Sequence, residues 1–132
     1  MKNLKFKNIV LVIVSIFLFG FIGTQEDIWK APNEAKQIKN PKANSSSSSA
    51  KGKKLFRSRC AVCHGSKGLG DGPGGKALVP KPANLSSTLV QGQTDGEIFW
   101  KITNGRNDMI KWGPILSEEQ RWDLVNYVRS LK

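Results

Sequence analysis

Cys60, Cys63 and His64 constrain this chain more than anything else in it, because they are the only two cysteines and the only histidine among its 132 residues. Two thiols three positions apart can close no long loop, so a disulfide scaffold is ruled out. Any mechanism that needs two histidines is ruled out with it, including metal-assisted hydrolysis at a histidine-rich centre. A Ser-His-acid or Cys-His hydrolase would have to use His64, which abuts Cys63, and adjacent side chains seldom converge on one substrate. Whatever chemistry the chain performs is concentrated at one point.

Composition divides the rest into three segments, 1–24, 25–50 and 51–132. Lys2, Lys5 and Lys7 precede an apolar run from Ile9 to Phe19 that continues through Gly23 without an acid, the pattern of an exported or anchored chain. An uncleaved anchor over 1–24 is the first expectation, with residues 9–24 in the membrane. A helix there would rise roughly 24 Å against a hydrocarbon core of about 30 Å, so Lys5, Lys7 and Trp29 must reach the two interfaces to make up the length. A cleaved signal peptide is the alternative, although Leu18 and Phe21 stand where small residues are wanted. The positive-inside rule places the remainder on the periplasmic side of a bacterial inner membrane, or free in the periplasm after cleavage. Residues 25–50, with Pro32, Pro41 and the run Ser45 to Ser49, read as a flexible linker. The domain expected over 51–132 is too small to rest comfortably on its own apolar core, and with a disulfide scaffold ruled out that argues for a metal or a cofactor.

Within that domain the signals are helical. Lys51 to Arg59 reads as a short basic helix with Gly52, Leu55, Phe56 and Cys60 on one face. Thr94 and Glu97 form a capping-box pair ahead of Ile98, Phe99 and Ile102, and Asn104-Gly105 is the stop. Ser117 and Gln120 repeat the box ahead of an apolar stripe from Trp122 to Leu131. No strand pattern of comparable quality exists. Residues 65–93 read as loop, and a loop of that length inside a compact domain is expected to wrap something.

Cys60-Ala61-Val62-Cys63-His64 is the C-x-x-C-H pattern of covalent c-type haem attachment. Thiols at that spacing reach the two vinyl groups of one porphyrin as thioethers, and the following imidazole is aimed at the iron. A zinc site would need further Cys or His ligands that the chain does not have. A thioredoxin-like pair would need its first thiol at a helix amino terminus, whereas here the motif follows a helix. One histidine leaves a sixth position on the iron, and the thioether of Met109 is the only candidate besides Met1. Met/His ligation raises the reduction potential and suits electron transfer. Met109 lies in a polar loop between the Asn104-Gly105 stop and Trp112-Gly113-Pro114, not in a helix core.

The region resembles the class I c-type cytochromes: Gly52, Phe56, Cys60, Cys63 and His64 stand at that family's amino-terminal spacing. Asn104-Gly105, Met109, Trp112-Gly113, Leu116-Ser117, Leu124 and Tyr127 match its distal and carboxy-terminal segments. The resemblance implies an all-α fold around one covalent haem c and its iron, with Gly52 and Phe56 crossing against Leu124 and Tyr127. It also implies that a proline carbonyl, from Pro80 or Pro82, receives the proximal imidazole N–H. One departure is that Ile110, rather than the proline often found there, follows Met109.

Residues 51–132 hold 14 Lys and Arg against 7 Asp and Glu, within a chain of net charge +11. Lys51, Lys53, Lys54, Arg57 and Arg59 crowd the first helix, a field that would steer the domain towards redox proteins with acidic docking surfaces. Nucleic acid and small-molecule substrates are not expected. The function expected is one-electron transfer between respiratory-chain partners by a carrier that is not an enzyme. A haem relay subunit of a larger periplasmic oxidoreductase is the alternative, and a gas-binding haem follows if Met109 leaves the iron open.

Overall fold

The computed structural model describes residues 29–132. The lysine-flanked apolar run read as an anchor or signal lies outside the described residues, and among those described no helix is long and apolar enough to cross a membrane. The chain divides into two compact units, Met1–Lys30 and Ala31–Lys132, and the second carries every described helix. Those helices are α1 (Ser46–Arg59), α2 (Ala61–His64), α3 (Thr88–Gln91), α4 (Asp95–Asn104) and α5 (Glu118–Arg129), with 3-10 turns at Asn33–Gln37 and Pro73–Gly75. No strand occurs among the described residues beyond one isolated bridge between Arg106 and Met109.

The two long helices α1 and α5 make the centre. Ser48, Gly52 and Phe56 recur every four residues along α1 and are its buried positions. At Gly52 the backbones approach so closely that a Cβ would fall on the Asp123 carbonyl and 3.0 Å from the Tyr127 Cβ. One turn later the Phe56 and Tyr127 rings meet at 5.0 Å between centroids, so the expected crossing of the first and last helices is present. α4 closes the core from the side, its Phe99 ring stacked on Trp122 at 4.0 Å and 15°. Both capping boxes read from the sequence are formed: Thr94 with Glu97 starts α4, and Ser117 with Gln120 starts α5. The Thr94 backbone N–H donates to the Glu97 carboxylate and holds its pKa below the ordinary range. At the other end of α5, Arg129 donates to Asp95 and to the carbonyls of Gln91 and Gln93, fastening the α3–α4 junction to the last helix.

The linker reading of 25–50 fails for residues 31–50, and the first helix begins five residues before Lys51. Ser45 caps α1 by accepting the Ser48 N–H at 3.2 Å, so the serine run is a helix start. Upstream, Ala31 and Ala35 are buried, and the Ala35 and Ile38 carbonyls lie against Gly96 of α4. The physical reason composition misled is that this strap is held mainly by polar contacts. The Asn40 amide donates to Asp95 at 2.8 Å and to Asn126 at 2.9 Å. The Ser48 hydroxyl donates to the buried Asp123 carboxylate at 2.5 Å while accepting from Asn126 at 2.8 Å. Lys42 completes the set, its ammonium 3.2 Å from Asp123 and 2.6 Å from Glu119.

Asp123→Ala is therefore expected to lower stability by about 2 kcal/mol, because it strands the Ser48 donor and removes an acceptor from Lys42 inside a low-dielectric network. Urea unfolding of the holoprotein checks this, and an unchanged midpoint would show that the network adds nothing. The loop expected over 65–93 is likewise partly regular: Pro73–Gly75 forms a 3-10 turn and Ser87 caps the short helix α3.

Candidate haem-attachment site

α1 delivers the motif. Its last turn ends at Cys60, whose N–H still donates to the Phe56 carbonyl at 2.8 Å, and α2 then carries Cys63 and His64 on a single turn. Three of the four residues singled out from the sequence thus stand together. The loop beyond is tied back onto them, since the Gly70 and Gly72 N–H groups donate to the carbonyls of His64 and Cys63 at 2.8 and 3.1 Å.

Cys60 and Cys63 form no disulfide, and each is partly exposed. Burial pushes the Cys60 thiol up to about 12, with the neighbouring Cys63 adding to the shift. A thiol in that state is the opposite of the low-pKa nucleophile a thioredoxin-like pair requires, even though Cys60 stands at the amino end of the one-turn α2 as well as at the end of α1, where the sequence alone places it. No group of three His, Cys, Asp or Glu side chains forms a metal cluster among the described residues.

His64 is oriented by the chain. Its Nδ1 lies 3.2 Å from the Ala83 carbonyl, and burial lowers its pKa against the pull of that bond. A neutral imidazole that donates from Nδ1 keeps the lone pair on Nε2, the state a metal ligand needs. The acceptor corrects the expectation of Pro80 or Pro82: it is the next residue, Ala83. The Pro82 carbonyl instead lies against Gly70. Sequence reasoning found the right segment and missed the residue because the acceptor is a backbone atom, which carries no side-chain signature.

Met109 lies in the loop between α4 and α5. Gly105, at φ +60°, reverses the chain as α4 ends, and a Cβ there would meet the Met109 carbonyl. Arg106 and Met109 then exchange backbone hydrogen bonds of 3.2 and 2.9 Å. Trp112 and Gly113 donate to the Ile102 and Thr103 carbonyls, so both ends of the loop are pinned to α4. Met109 is half-buried, and Ile110 beside it is 52% exposed. No hydrogen bond or ring contact joins Met109 to His64.

Two thiols at thioether spacing, an imidazole with Nδ1 already engaged and a helix pair to carry them fit a covalently attached haem. On this fold they define a small monohaem electron-transfer domain. The chain belongs to the cytochrome c family, whose model matches residues 49–132. It is similar to cytochrome c6 of Porphyra purpurea, 32% identical over 81 residues that make up 60% of this chain and 67% of the relative. Cytochrome c6 of Bumilleriopsis filiformis is 28% identical over 81 residues, covering 60% of this chain and 86% of its own. As a member of this family the chain is an electron carrier and not an enzyme, and its cofactor is covalent haem c.

Proposed function

We propose that the chain shuttles single electrons between respiratory-chain proteins on the periplasmic side of a bacterial inner membrane, and that His64 and Met109 would hold the iron of one haem. The observation that carries the reading is the engagement of His64 Nδ1 with the Ala83 carbonyl, which leaves the Nε2 lone pair for a metal. When bound, the haem supplies a one-electron couple at its iron. Cys60 and Cys63 hold it covalently, and Ala83 fixes the imidazole ring. The pinned loop from Gly105 to Gly113 offers a thioether on a short, rigid support, which favours a closed coordination shell over an open one.

The basic face of α1 supports a partner with an acidic docking surface. Lys54 and Arg59 have no ion pair among the described residues, and Lys51 reaches Glu119 only at 3.8 Å with both side chains mostly exposed. Their field acts at long range, so association with such a partner is faster at low salt. The apolar run at 9–24 supports attachment to the membrane.

Met109→Ala tests the ligand assignment. The variant is expected to keep its covalent haem and to bind carbon monoxide when reduced. An absorption spectrum identical to the parent's, with no response to carbon monoxide, would remove Met109 from the site.

A further inference from the structure

A groove of about 460 Å³ lies between α1, the loop just after His64 and the end of α5. Its charged lining is Lys53 and Arg57, one turn apart on α1, together with Lys67 from the loop, and no acidic side chain lines it. None of the three is in an ion pair among the described residues, whereas Lys42, Lys51 and Arg129 all reach carboxylates. Three like charges drawn to one concave surface repel one another, and an anion between them relieves that repulsion.

The uncharged lining narrows the kind of anion. Ser66 and the nearly buried Tyr127 both line the groove, and neither hydroxyl makes a hydrogen bond to the described residues. A guanidinium, two ammonium groups and two free hydroxyls form a donor set suited to a tetrahedral oxyanion with several acceptor oxygens. Leu69 and Leu131 add an apolar wall beside the donors, a surface suited to a carbon portion joined to the oxyanion. We infer that this groove binds a phosphate ester through Lys53, Arg57, Lys67 and Ser66. It gives Lys53 and Arg57 a ligand of their own, distinct from the redox partner assigned to the rest of the basic face.

The ester could be a free metabolite or a lipid headgroup, and the probes separate the two. The reduced full-length holoprotein is titrated at constant ionic strength with glycerol 3-phosphate, and separately with dihexanoylphosphatidylglycerol below its micelle concentration. Dihexanoylphosphatidylcholine serves as the zwitterionic reference, and the amide shifts of Ser66 to Leu69 are read by NMR. The combined variant Lys53→Gln, Arg57→Gln, Lys67→Gln is compared with Lys36→Gln, Lys76→Gln, Lys111→Gln, which removes the same charge from exposed sites elsewhere.

Saturable shifts that weaken about tenfold or more in the groove variant, but not in the control variant, are expected. Saturation with glycerol 3-phosphate assigns a free ester, and saturation with phosphatidylglycerol alone assigns a headgroup. Equal weakening in both variants, an equal response to phosphatidylcholine, or no saturation with any probe would overturn the site.

Discussion

Gly52→Val is expected to destabilise the holoprotein by more than about 3 kcal/mol, a large part of the stability of a domain this size. A Cβ at position 52 has nowhere to go, since the Asp123 carbonyl and the Tyr127 Cβ occupy its place. The helix cannot turn to avoid them, because Phe56 one turn on is 2% exposed and packed on Tyr127. α1 and α5 would have to separate, and separation also pulls Ser48 from Asp123 at the other end of the same face. The helix-propensity gain of about 0.5 kcal/mol or less on replacing glycine with β-branched valine is too small to compensate. Thermal and urea unfolding check the result, and a melting temperature within a few degrees of the parent's would contradict the close crossing.

His64→Ala is expected to leave essentially no stable holoprotein. The substitution removes the only imidazole in the chain, and the Ala83 carbonyl loses the donor that ties the loop of residues 65–83 to the motif. Alanine supplies neither a metal ligand nor a replacement hydrogen bond. Haem-dependent absorbance of the purified variant, compared with the parent at equal protein concentration, measures the loss. Normal haem content with an unchanged spectrum would show that His64 is not a ligand.

The helices were legible where local chemistry decides them. Thr94 with Glu97 and Ser117 with Gln120 announce their helices within four residues, whereas the crossing of Gly52 and Phe56 against Tyr127 followed only from the resemblance to the class I c-type cytochromes. Cys60, Cys63 and His64 stand together on the turn from α1 into α2, as their closeness in sequence requires. What escaped was long-range and polar. Asn40, Lys42 and Ser48 look like linker residues until Asp95, Asp123 and Asn126, distant in sequence, are brought beside them. Hydrophobic periodicity is blind to a segment held by hydrogen bonds. The Ala83 carbonyl escaped because any residue can supply a backbone acceptor.

The most direct test of the account is carbon monoxide added to the reduced, haem-loaded protein, with absorption spectra taken before and after. A chain that presents His64 from α2 and Met109 from the pinned loop leaves no position for the gas, so the spectrum is expected to stay unchanged, and the oxidised form should show a weak sulfur-to-iron charge-transfer band. A shifted spectrum on adding carbon monoxide would contradict the closed His64/Met109 site and make the protein a ligand-binding haem domain.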